Sequence, residues 1–256
     1  MNIEFKWIGG ATFIITIDNV RIAVDPVLCK KGTIQDYFWF KSKRLEEPHY
    51  NNDDFEDIDL WLITHNHEDH LDKEGLMAIN NKALVITNPN SFQKLKRKGI
   101  TNPIVLKWQE TKIIKIKELE ISIEAIKAIH GVNPLSAYFA GKVNGYYLTL
   151  RSVNQTYRIY ITSDTVYKTK IIDTFANKKI DLLIPNMGAA KKGSWIMTLT
   201  LDSSMLKKMI QKLNPTLVIP VHYGTFKHYS EPVSEITKLK DNRIKLMTLG
   251  QPTKIH

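Results

Sequence analysis

Apolar residues in the first quarter of the chain fall in short runs, alternating or solid, cut by turn-forming pairs. Residues 3–7, 12–17 and 21–24 read as strands, broken at Gly9-Gly10 and at Asp18-Asn19. Residues 29–52 keep neither period and read as a long irregular segment holding the aromatic run Tyr37-Phe38-Trp39-Phe40. Residues 59–63, DLWLI, form a buried-strand pattern. Helical and strand patterns then alternate: a helix over 73–80, a strand over 83–86, a helix over 91–97 stopped by Gly99, and a strand over 104–106. Residues 113–129 alternate as one long strand, and 146–150 with 157–161 predict a hairpin about Asn154-Gln155. Buried strands over 181–184 and 217–220 flank a helix in 201–213, where Leu206, Met209, Ile210 and Leu213 share a face. A helix over 231–240 and a strand over 243–249 close the chain. Strands first, then strands mixed with helices, predict an α+β architecture of packed sheets with helices outside. No low-complexity linker or short repeat interrupts it, so residues 1–256 read as one domain.

Polar residues gather where the predicted strands end. DLWLI runs into Thr64-His65-Asn66-His67-Glu68-Asp69-His70. His130 follows the long alternating stretch, Asp164 follows 157–161, and His222 follows 217–220. Such ends are where the loops of α/β-type proteins converge on a site. In extended backbone, residues i and i+2 point the same way, so His65 and His67 can grip one ion. Asp69 and His70 come a turn later and can reach a second ion alongside. Neutral imidazole and carboxylate suit Zn²⁺, Fe²⁺ or Mn²⁺. Asp164 is the candidate bridge, since a carboxylate has two oxygens to share, and His130 and His222 complete the two sets. The remaining histidines, His49, His228 and His256, have no such context and read as surface residues, with a place lining the cleft as the alternative for His228.

Composition narrows the setting. A chain of 256 residues with 43% hydrophobic and 24% charged residues is ordinary for a globular protein. Cys29 is the single cysteine, which excludes an internal disulfide framework and a multi-cysteine metal site. The first residues, MNIEFKWIGG, lack the basic-then-apolar layout of a secretion signal, and no apolar run is long enough for a membrane span. A cytoplasmic location is expected. The formal charge of +10 would attract nucleic acid, an anionic membrane or a phosphorylated small molecule. Six of the 36 basic residues are arginine and the rest lysine, a balance that favours a solvated surface over nucleic-acid recognition. The aromatic segment 37–44, with Lys41, Lys43 and Arg44, reads as packing over the sheet, with a lid or a lipid-facing loop as alternatives. A loop over 186–195, with Lys191, Lys192 and Trp195, is either a contact for an anionic substrate or a solvated loop.

The pattern HxHxDH at 65–70, with His130, Asp164 and His222 downstream, resembles the metallo-β-lactamase-fold hydrolase superfamily. WIGGATF at 7–13, AVDP at 23–26 and PVHYGTF at 220–226 resemble the branch of L-ascorbate-6-phosphate lactonase-like and N-acyl-phosphatidylethanolamine phospholipase D-like proteins. The resemblance implies an αββα four-layer sandwich with a dinuclear metal site at one edge of the paired sheets. It implies that His65, His67 and His130 bind one metal, that Asp69, His70 and His222 bind the other, and that Asp164 bridges. Asp25 would orient a ligand histidine, although a turn carboxylate before Pro26 is an equal reading of the sequence. The cofactor would be two divalent ions, zinc foremost, with manganese or iron as alternatives.

The expected activity is hydrolysis of a small anionic ester, lactone or phosphodiester by a hydroxide held between the metals, with Asp69 or Asp164 carrying a proton to the leaving group. A nuclease, or a metal-binding protein without catalysis, is the alternative; self-association into a homo-oligomer is compatible with either. Ser163 beside Asp164 lacks a spare histidine to act as its base. Gly10 departs from the branch, where histidine or asparagine is common, and a polar group facing the substrate is expected to be missing there.

Overall fold

The computed structural model describes residues 1–37, 40–80, 82–132, 141–190 and 198–256. Strands β1 (Ile3–Gly9), β2 (Thr12–Ile17) and β3 (Val20–Val24) form an antiparallel meander. The next segment is not wholly irregular, because β4 (Ile34–Asp36) and β5 (Lys41–Lys43) pair as a two-stranded hairpin. Strands β6 (Leu60–Leu62), β7 (Leu84–Thr87) and β8 (Ile104–Val105) then extend the first sheet in parallel beside β3. The second sheet holds β9 (Thr111–Ile116), β10 (Leu119–Ala128), β11 (Val143–Arg151), β12 (Thr156–Ile161), β13 (Leu182–Ile184) and β14 (Leu217–Val218). Its first four strands are antiparallel, and β12, β13 and β14 run parallel. Strand β15 (Thr253–Lys254) returns to the first sheet beside β1.

Two expectations need correction. The alternation over 113–129 is two strands folded back at Lys117, whose φ of 53° lies in the left-handed region. Residues 243–249 form no strand; Ile244 makes one isolated bridge to Val218, and the last strand lies ten residues later.

Side-chain parity builds the layers. Phe13, Ile15 and Ile17 of β2 join Leu60 and Leu62 of β6 and the inner residues of the second sheet in one apolar cluster between the sheets. Ile14, Trp61 and Ile63 point the other way, into a cluster with Leu76 and Leu95. Those two leucines belong to helices α1 (Lys73–Ala78) and α2 (Pro89–Arg97). A strand covered on both faces needs an unbroken apolar run, which is why DLWLI shows no alternation. Asp72 and Asn88 cap the two helices by accepting the backbone N–H of Gly75 and Ser91. On the second sheet lie α3 (Thr169–Ile172), α4 (Ser203–Leu213) and α5 (Val233–Thr237). The face predicted for α4, Leu206, Met209, Ile210 and Leu213, is buried in the main cluster. Among the described residues no helix is long and apolar enough to cross a membrane.

Candidate metal centre

The carboxyl ends of β6, β12 and β14 and the end of β10 meet at one edge of the two sheets. After β6 the chain stays extended to His67, then turns as His70 and Leu71 donate their backbone N–H groups to the His67 carbonyl at 3.0 and 2.8 Å. The extended part aims His65 and His67 at one place, and the turn brings Asp69 and His70 beside it. His130 arrives from β10, Asp164 from β12 and His222 from β14.

Two groups of donor atoms result. His65, His67 and His130 form one, and Asp69, His70, Asp164 and His222 the other, with the donor atoms in each within 4.8 Å of one another. In the first, His67 Nδ1 lies 3.0 Å from His65 Nε2 and 3.3 Å from His130 Nε2. In the second, His70 Nε2 lies 3.2 Å from His222 Nε2 and 3.1 Å from Asp164 Oδ1. Asp164 faces both groups, because its Oδ2 is 3.5 Å from His130 Nε2.

The outer nitrogens of His65, His70, His130 and His222 are engaged. His70 Nδ1 lies 2.7 Å from Asp25 Oδ2. The Thr64 hydroxyl donates to the same Asp25 oxygen at 2.6 Å and can accept from His65 Nδ1 at 3.0 Å. His130 Nδ1 meets the Leu199 carbonyl at 2.9 Å, and His222 Nδ1 the Met187 carbonyl at 3.2 Å. Outward N–H donation leaves the inner nitrogens as lone pairs, the form a metal requires. Asn186 donates to Asp164 Oδ1 at 2.9 Å.

The backbone here is held in costly conformations. Asp25, Ser163 and His222 have φ of 42°, 54° and 64°, each worth of order 1–3 kcal/mol of strain. His222 is fixed by its N–H bond to the Gly10 carbonyl at 2.9 Å. Gly10 therefore serves the site through its backbone. Gly188 must be glycine, since a Cβ there would stand 2.6 Å from the His222 carbonyl oxygen.

Burial and the crowd of neighbouring imidazoles hold His65 well below its usual range, and push His67 down to about 3. Burial also lowers His130. Burial opposes ionisation of Asp69 and Asp164, but hydrogen bonds from His222 and His228 for the first, and the charges of His222 and His70 for the second, outweigh it and hold both well below the carboxylate range. Burial opposes the charge on His70, but the carboxylates of Asp164 and Asp25 outweigh it and raise that ring well above its usual range. Neutral imidazoles at His65, His67 and His130 beside ionised carboxylates suit a divalent cation of the zinc, manganese or iron kind. Asp69 Oδ1 adds a specific sign of fit, because it is buried and has no hydrogen-bond partner.

All seven predicted ligand residues thus come together, and Asp25 touches one of them, His70, directly and another, His65, through Thr64. His49 and His256 are exposed, as expected. His228 is not a surface residue: it is buried, with Nε2 3.1 Å from Asp69 Oδ2. Tyr229 was also missed; its hydroxyl lies 2.8 Å from His222 Nε2 and 3.2 Å from Asp69 Oδ2. The motif HYGTF ends before both residues, and only a second histidine six positions after His222 hinted at them. Of the aromatic segment, Tyr37 and Phe40 pack against the site. The Tyr37 ring lies 6.5 Å from that of His67 and 5.2 Å from that of His228, with Phe40 5.5 Å from His228. Arg44 is fully buried. Phe38, Trp39, Lys191, Lys192 and Trp195 lie outside the described residues.

Known proteins share this arrangement of chain. A beta-lactamase superfamily domain matches residues 4–222. A UPF0173 metal-dependent hydrolase of Pyrococcus furiosus is 29% identical over 77% of this chain and 80% of its own length. N-acyl-phosphatidylethanolamine-hydrolyzing phospholipase D 1 of Caenorhabditis elegans is 25% identical over 93% of this chain and 69% of its own. The crystal structure of a possible metal-dependent hydrolase from Veillonella parvula superposes with a TM-score of 0.83 at 17% identity, covering 99% of this chain and 98% of that one. The chain belongs to the beta-lactamase superfamily, as a metal-dependent hydrolase of the metallo-β-lactamase fold.

Proposed function

We propose that residues 1–256 form one hydrolase domain that acts in the cytoplasm on a small, anionic ester, lactone or phosphodiester. Two divalent ions serve it, zinc foremost, with manganese or iron as alternatives. The observation that carries this reading is the position of Asp164, with one oxygen toward His130 and the other toward His70 and His222. In this reading His65, His67 and His130 would hold one ion and Asp69, His70 and His222 the second, with Asp164 available to both. When bound, the ions supply Lewis acidity and a water acidified toward neutral pH.

The rest of the chemistry belongs to the chain. Asp25, Thr64, Leu199 and Met187 hold the ligand rings in one tautomer and one orientation. Asp69 or Asp164, both ionised, accepts a proton at the reacting centre and passes it to the leaving group. The rings of Tyr37 and Phe40 shield one side from water. Ser163 takes no part as a nucleophile, since its Oγ has no hydrogen-bond partner and hence no base. The charge of +10 favours an anionic substrate. The nematode relative is named for hydrolysing a phospholipid, which puts phosphodiesters first among the classes to try.

Chromogenic phosphodiesters, lactones and esters offered to the zinc-loaded protein test this. Turnover of at least one class is expected, and it disappears in Asp164→Asn while circular dichroism stays unchanged. Loaded protein that turns over none of the three, or an Asp164→Asn variant as active as the wild type, contradicts the reading.

A further inference from the structure

Two residues outside the donor groups converge on a single oxygen. Asp69 Oδ2 lies 3.1 Å from His228 Nε2 and 3.2 Å from the Tyr229 hydroxyl, while Asp69 Oδ1 is buried and unpartnered. His222 Nε2, of the second donor group, lies 3.4 Å from the same Asp69 Oδ2. A ligating carboxylate is oriented by the hydrogen bonds it accepts.

The far side of the His228 ring is fixed as well. Its Nδ1 lies 2.7 Å from Ser42 Oγ, and the same Oγ accepts the His228 backbone N–H at 3.3 Å. A backbone N–H only donates, so the single hydroxyl proton is free to go to Nδ1. That leaves Nε2 as the N–H, pointed at Asp69. Ser42 is the buried centre of β5, between the exposed Lys41 and Lys43. The β4–β5 hairpin is docked by the Lys227 N–H to Lys43 carbonyl bond at 2.9 Å and by the Tyr37 and Phe40 rings on His228.

We propose that Ser42 and His228 form a relay through which the docked β4–β5 hairpin orients Asp69, so that firm binding of the second metal depends on the hairpin being in place. Ser42 and His228 are positioning residues, separated by 186 positions in the chain, and Tyr229 is the second donor on the same oxygen. The relay rests on the two-metal reading above.

Titration of the metal-stripped full chain with Zn²⁺ against a chromophoric chelator, together with the visible spectrum of the Co²⁺-loaded protein, tests it. The wild type should take up two ions. In His228→Ala one ion is bound about 10–100-fold more weakly, the other is unchanged, and only part of the Co²⁺ spectrum shifts. His228→Gln, whose amide N–H can replace Nε2–H, restores most of the affinity. Ser42→Ala weakens the same ion by a smaller factor. The relay is overturned if His228→Ala and Ser42→Ala hold both ions as tightly as the wild type. It is equally overturned if both ions weaken together and glutamine gives no rescue, as a general loss of structure would produce. A wild type that binds fewer than two ions defeats the two-metal reading itself, and the relay with it, before any variant is compared.

Discussion

Asp25 serves two histidines at once, one directly and one through the Thr64 hydroxyl. Replacing it with alanine removes the acceptor that keeps the Nδ1 proton of His70 outward. Asp25→Ala is expected to weaken metal binding about 10–100-fold, read by chelator competition; unchanged affinity would show that the ring needs no such partner. Cys29 behaves differently. It is buried, and burial followed by the charge of Asp72 pushes its thiol up to about 12 from 9.0. Iodoacetamide at pH 8 should leave it untouched until urea unfolds the chain, and rapid native labelling would contradict its placement. The pH sign follows. Between pH 9.0 and about 12 the unfolded chain releases the proton that the native one keeps, so Cys29 makes stability fall as pH rises through that window, and Cys29→Ala should flatten the fall. At this scale the ligand residues were legible because four of them are neighbours in sequence and each of the others ends a strand. His228 was not, because what makes it part of the site is Ser42, on a hairpin far away in the chain.

Among the elements, α1 sits against the turn that carries Asp25. A Cβ on Gly75 would lie 1.9 Å from the Pro26 carbonyl oxygen, and the Asp72 side chain both caps the helix and accepts the Cys29 N–H at 2.7 Å. Gly75→Ala forces α1 away from Pro26. A loss of about 3 kcal/mol is expected, visible as a lower urea midpoint, and an unmoved midpoint would contradict this close approach. Most strands were readable from parity, since a strand covered on both faces must be apolar throughout and one covered on a single face must alternate. The turn at Lys117-Glu118 was not, because no glycine, proline or asparagine marks the left-handed residue, and its one trace is the shift of apolar positions from even (Ile114, Ile116) to odd (Leu119, Ile121, Ile123). The last strand was misplaced for the opposite reason. Residues 243–249 carry the pattern, but the backbone bonds that tie them to a strand are the two to Val218 of β14.

Across the whole molecule, the paired sheets exist to bring four separate strand ends to one edge. The cost of that edge is a crowd of buried imidazoles and carboxylates, with three residues in left-handed backbone. Cations offset it by giving the facing lone pairs, and Asp69 Oδ1, a partner. The number of ions held per chain is therefore the deciding quantity. Elemental analysis of the purified chain, reconstituted with zinc, manganese or iron and then desalted, measures it directly, with His67→Ala and Asp164→Asn alongside. Two ions per chain are expected, fewer in His67→Ala, and weak retention of both in Asp164→Asn. A wild-type chain that retains none of these metals, or variants that retain as much as it does, would contradict the two-metal reading.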